Sequence, residues 1–162
     1  ILTSEKVIEE LKKIENSITP DCTTDLLLSE SKIAMINTNY DSKMLINRDS
    51  LFYIIKEFYI SEEIKMNSIN PEEYKKKKLK NENEIILKNA VLNVVFEPCI
   101  HAGVKVTYIT SDERVVHIFY FQTGKINITG AIKKEHIEET YKFANSILYD
   151  HYDDILYIDM EL

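Results

Sequence analysis

FYFQTGKINITGA (residues 119–131) is the stretch on which the fold turns. Side chains alternate sides along a strand, so Ile118 and Tyr120 share one face while Phe119 and Phe121 share the other. Both faces avoid water. A single Thr-Gly-Lys turn at 123–125 leads into a second strand, KINITG, and Gly124 reads as the positive-φ residue of a tight hairpin. One apolar face can cover a domain core. The other must then be a second core, an oligomer interface or a ligand surface.

Outward from that hairpin the chain supplies the rest of a sheet. AVLNVVFE (90–97), GVKVTYIT (103–110) and RVVHIFYFQ (114–122) precede KINITG (125–130) at spacings short enough for a meander. SKIAMINTNYD (31–41) reads as an earlier strand, and NRDSLFYIIKEF (47–58) as a short helix burying Leu51, Ile54, Ile55 and Phe58, with Asn47 or Asp49 as cap. KKEHIEETYKFANSILYDH (133–151) predicts a long helix striped by Ile137, Tyr141, Ala144 and Leu148, and DDILYIDMEL a short terminal strand. At the other end, EKVIEELKKIENSI (5–18) places Val7, Leu11, Ile14 and Ile18 at helical spacing as one core face. The order of helix, strand, helix, four strands and helix predicts an α+β fold with helices over one face of an antiparallel sheet. The second face is left unassigned.

Composition sets the outer limits. A length of 162 residues suits one well-buried domain. With 44% hydrophobic and 29% charged residues the chain is globular, and no apolar run approaches the ~20 residues of a membrane-spanning helix, so a soluble protein with no membrane partner is expected. The opening ILTSEK carries no basic-then-apolar signal segment and reads as a trimmed start. A net charge of −7 argues against nucleic-acid binding led by phosphate contacts, so any such role must rest on a local surface. Cys22 and Cys99 are too few for a disulfide framework, and a reducing compartment is the simpler reading. Residues 61–84 are polar and include the run Lys75 to Lys78, which reads as an insertion with a solvated or mobile face, a phosphate-binding role being the alternative.

Several signals point nowhere. TGK at 123–125 lacks the rest of a phosphate-binding loop, and the sequon at Asn127 falls in a strand without a secretory signal. Cys99 and His101 have the spacing of two metal ligands, but no second pair accompanies them. His117, His136 and His151 fall on separate elements, and Asp150, Asp153 and Asp154 read as a polar helix end. No enzyme, cofactor or metal is expected.

GKINITGA followed by a helix resembles the S-G-K-hydrophobic-hydrophobic-hydrophobic-T-G-A run that closes each repeat of TATA-binding proteins. FEPCIHAGVKVTYI (96–109) is similar to the family's Y-E-P-x-L-F-P-G-hydrophobic segment, in which a loop called the stirrup joins two strands. SKIAMINTNYDSKMLINRDSL is similar, more weakly, to the repeat's opening strand and helix. The resemblance implies a TATA-binding-protein-like fold: a curved antiparallel sheet of about five strands with helices on its convex face. Residues 31–162 would form one repeat enlarged by the insertion at 61–84, and residues 1–30 the closing helix of a preceding repeat plus a link. The divergence, the acidic balance and an Ile, Lys, Asn and Tyr content typical of an A/T-rich genome resemble the TATA-binding-protein-like proteins of large eukaryotic DNA viruses. An intracellular location, in a viral factory, in the nucleus or packaged in the virion, follows from that resemblance.

By family position Phe121 would wedge between base steps of A/T-rich promoter DNA, helped by Phe119, while Met35, Asn37, Asn127 and Thr129 would line the minor-groove surface. Wedging costs a few kcal/mol per unstacked step and is offset by the larger contact surface on bent DNA. Without the family, the two phenylalanines read as a contact for a partner protein or a second copy. Strand alternation adds Lys105, within reach of a phosphate, and Thr107 to the face of Gly103. His101 stands where the family has a second wedging Phe, and Ala102 where it has Pro. On the first strand Met35 and Asn37 replace the usual Asn and Val; on the last, Asn127 replaces Val. The stirrup, here Glu97 to Ala102 with Glu97, Cys99 and Ile100, would recruit a transcription factor IIB-like protein or RNA polymerase. A rival reading keeps the fold as a protein-interaction module with weakened DNA binding.

Overall fold

The computed structural model describes residues 4–18, 33–60 and 87–157. The lysine run and its insertion, the link at 19–30 and residues 158–162 lie outside them. The chain divides into two compact units, residues 1–34 and 35–162. In the first, helix α1 (Ser4–Ile18) forms as its amphipathic pattern predicts, and Lys13 pairs with Glu9 and Glu10. Val7, Leu11 and Ile14 are exposed rather than buried. Helical spacing makes an apolar stripe but does not supply the surface that covers it.

The second unit is built on one five-stranded antiparallel sheet. Its strands are β1 (Ile36–Asp41), β2 (Ala90–Val95), β3 (Val104–Ile109), β4 (Val115–Tyr120) and β5 (Lys125–Ala131), in the order β1-β5-β4-β3-β2. The predicted meander is therefore present, and β1 closes against its last strand. The sheet is not strongly curled. The register slips between Ile36 and Thr38 of β1, and Gly130 at φ +95 accommodates the extra residue on β5.

Helix α2 (Arg48–Ile54) starts at Asn47, whose side-chain oxygen accepts from the Ser50 backbone N–H at 3.1 Å. It then widens into a π-helical turn, Ile55–Tyr59. Phe58, expected in the core, is 71% exposed: the wider i→i+5 turn slows side-chain rotation, keeping Ile55 inside and carrying Phe58 outward onto His151. Helix α3 (Lys134–Asp150) buries His136, Thr140, Ala144, Ile147 and Leu148. This stripe is rotated from the expected one, leaving Tyr141 exposed, because hydropathy alone gave no reason to bury a histidine and a threonine. The expected terminal strand begins instead as a helical turn, α4 (Tyr152–Ile155), after which Leu156 makes a single bridge to Ile46.

These helices meet one face of the sheet. Val104, Val106, Ile118, Tyr120 and Ile126 form a cluster with Leu51, Ile55, Ala144, Ile147 and Ile155. Tyr108 stacks on Phe143 at 4.4 Å, and the buried Tyr120 hydroxyl donates to the Ala144 carbonyl of α3 at 3.3 Å. Burial pushes the Tyr120 phenol far above its ordinary pKa, so it stays a neutral donor. The helices thus take the face of Ile118 and Tyr120. Phe119 and Phe121 are left on the other.

Candidate nucleic-acid interface

The register lines up the residues of the second face in rows across the strands. One row runs Asn39, Asn127, Phe119, Lys105 and Val95; a neighbouring row runs Thr129, His117, Thr107 and Asn93. Alternation places Asn37 on this face beside Asn39, and exposed Met35 just before β1. Phe119, Phe121, Asn127 and Thr129 are half-buried, whereas Asn37 and Asn39 are exposed. Thr107 lies on the same face but is nearly buried, and its hydroxyl sits 3.2 Å from His117 Nδ1.

An aromatic cluster forms at one end. The His101 ring lies 5.1 Å from Phe119 and 6.0 Å from Phe121 between centroids. Its orientation is set by Gly103, whose backbone N–H donates to His101 Nδ1 at 3.1 Å. Gly103 is also where the cluster leaves no space: a Cβ there would stand 3.2 Å from Phe121 Cε1 and from the Tyr120 carbonyl oxygen. Lys105 Nζ sits 6.0 Å from the centroid of the Phe119 ring, at the edge of cation–π reach.

Two clefts flank the cluster. One of about 410 Å³ runs between Phe119, Lys105, His101 and Ile100; the other, of about 380 Å³, lies between Phe121, Arg48, Lys125 and Asn127. Each has an aromatic wall and a cation, the pairing that stacking plus phosphate contact needs. The loop above them turns on Glu97, whose carbonyl accepts from Ile100 N and His101 N, both at 2.9 Å. Glu97, Cys99 and Ile100 are exposed there, Ile100 at 79%.

Arg48 holds this loop to the body. It donates to the Ala102 carbonyl and to Gln122 Oε1, the latter at 2.9 Å, while its guanidinium covers the Phe96 ring at 5.3 Å. Sequence reasoning missed Arg48, since nothing local ties it to a loop 54 residues away. It also missed Asn39, which the alternation that selected Asn37 could have supplied, and Lys125, two residues before Asn127. Asp41, opposite Lys125, accepts from the Lys43 N–H and ammonium at 2.8 and 3.0 Å. Those bonds hold its carboxyl below the usual carboxylate range.

The far end of the sheet is tied down by a polar network. Asp112 accepts from the Thr110 hydroxyl at 2.6 Å and from His136 Nε2 at 2.8 Å, and His136 Nδ1 accepts from the Ile132 N–H at 3.3 Å. Glu139 accepts from Ser111 N and Oγ. These bonds clamp the β3–β4 turn to the start of α3. No described helix is long and apolar enough to cross a membrane. No known protein-family model and no curated protein sequence matches the chain.

Proposed function

We propose that the chain is a TATA-binding-protein-like transcription initiation factor that lays the Phe119 face of its sheet in the minor groove of A/T-rich promoter DNA and recruits the transcription machinery through the loop Glu97 to Ala102. The observation that carries this reading is the gathering of His101, Phe119 and Phe121 at one end of the sheet face opposite α2 and α3, beside Lys105 and a strip of Asn and Thr side chains. Aromatic edges of that kind can enter a base step, and Asn and Thr can donate to the N3 and O2 acceptors of A·T pairs. The strand, helix, four-strand, helix order and the GKINITGA and FEPCIHAGVKVTYI motifs support the same family, with its curved saddle as the finer form of the fold. His101 then fills the place of the second wedge, held ready by Gly103.

The test is fluorescence anisotropy with A/T-rich and G/C-rich duplexes, in the presence and absence of a minor-groove-binding drug. Saturable, drug-sensitive binding that falls about 100-fold in Phe119→Ala/Phe121→Ala supports the reading, since each lost stacking contact is worth about 1–3 kcal/mol. Lys105→Gln should lower the salt slope by about one unit. Unchanged duplex binding by Phe119→Ala/Phe121→Ala would sink it. The exposed Ile100 and a total charge of −7 favour a second reading, a protein-interaction module on this fold; it predicts no duplex binding by the folded protein.

A further inference from the structure

The Phe119 face of the sheet carries a feature that the wedge does not use. Asn39 and Asn127 stand directly opposite each other on β1 and β5, with exposed Asn37 beside them, and Asn127 in turn stands opposite Phe119. None of the three carboxamides is engaged by the described residues. In the minor groove an A·T pair offers only acceptors, whereas a G·C pair adds the guanine N2 amino donor. An apolar face pressed onto that amino group strips its water and gives no partner in return. A carboxamide has both an NH₂ donor and a carbonyl acceptor. It can serve N3 and O2 with one end and guanine N2 with the other.

Resting on the minor-groove reading of this face, we infer that Asn39 and Asn127 form a base-reading pair that accepts a G·C pair at one defined position within an otherwise A/T-rich site. The register says where. Neighbouring strands are ~4.8 Å apart, so Asn127 lies about one strand spacing from Phe119 and Asn39 about two. Base pairs rise about 3.4 Å, which places the position within roughly three pairs of the aromatic wedge. Guanine N2 donates to a carboxamide oxygen there, while the opposing NH₂ remains for the neighbouring acceptor.

The experiment walks a single G·C pair through an A/T-rich duplex and repeats each position with inosine·C, which lacks the N2 amino group. At one position near the wedge, the wild-type protein should bind G·C about 5-fold more tightly than inosine·C, a gain of the size one hydrogen bond gives. Asn39→Val/Asn127→Val should reverse that order, with inosine·C then bound more tightly than G·C at that position, and should weaken A·T binding as well because two donors are lost. Valine suits a strand, and the wild-type inosine comparison stands whether or not the variant folds. If A·T duplexes bind and G·C is penalised at every position, the inference fails and the minor-groove reading survives. If no duplex binds, that reading fails and the inference with it.

Discussion

Replacing Gly124 by Ala separates a local conformational cost from a tertiary one. Gly124 has φ +83, where an L-residue costs about 1–2 kcal/mol. A Cβ added there would also stand 2.2 Å from the Met44 carbonyl oxygen, far inside the ~3.5 Å at which non-bonded heavy atoms rest. Met44 cannot simply step aside. Ser42 donates through both N and Oγ to the Gly124 carbonyl, and Ile46 N donates to Gln122 O, all at 2.9 Å. Relief of the clash must loosen two or three of these bonds, each worth about 0.5–1.5 kcal/mol, which brings the total to about 2–6 kcal/mol. Gly130→Ala is the control. Its φ is +95, and its Cβ would meet the Val115 carbonyl oxygen at 3.2 Å, a close contact relieved by a shift of a few tenths of an ångström rather than by broken bonds, so its cost is mainly conformational, about 1–3 kcal/mol. Urea titration of both variants, read as midpoint shifts at unchanged slope, makes the comparison. Equal losses would refute the argument that the β1–α2 loop presses on this hairpin.

Three further outcomes follow from named contacts. Thr140 is fully buried on α3 and its hydroxyl has no hydrogen-bond partner among the described residues, so Thr140→Val should stabilise the fold by about 1 kcal/mol in the same titration. The carboxyl of Asp112 is held well below the usual carboxylate range, first by the Thr110 hydroxyl and then by His136. Its contribution is therefore complete above the unfolded value of about 3.9 and drains away as pH falls towards the depressed folded one. The gap in melting temperature between wild type and Asp112→Asn should accordingly be constant between about pH 5 and pH 6 and shrink progressively below about pH 4; a gap unchanged on acidification would refute the assignment. Arg48→Met removes the bonds to Ala102 and Gln122 while keeping an apolar side chain against Phe96. Amide exchange at residues 99–103 should accelerate by tenfold or more, as for a loss of about 1.4 kcal/mol, with the sheet amides unchanged.

Much of this was legible in the sequence because it is local. Alternation at Ile118 to Phe121 separated two apolar faces, the short spacings of residues 90–130 gave the meander, and Gly124 marked the hairpin. Candidates for the site were legible for the same reason: Phe119, Asn127 and Lys105 do fall in one row. The rest depended on partners distant in sequence. Hydropathy hid the burial of His136 and Thr140, since a polar side chain goes inside only when a neighbouring element makes room or supplies a bond, as Asp112 does for His136. The swing of Phe58 out of the core turned on a π-helical turn that no apolar period announces.

The sequence by itself determined that Ile118 and Tyr120 oppose Phe119 and Phe121, because side-chain alternation is a property of the strand alone. Only the tertiary structure decided which pair lost its water. Ala144 and Ile147 from α3, with Leu51 and Ile55 from α2, settled on Ile118 and Tyr120, where the Tyr120 hydroxyl finds the Ala144 carbonyl. Phe119 and Phe121 were left to His101, a residue brought over them by Gly103 and by Arg48 from across the fold. Burial depends on what packs against a surface, and that is fixed by contacts between segments rather than by the pattern within one.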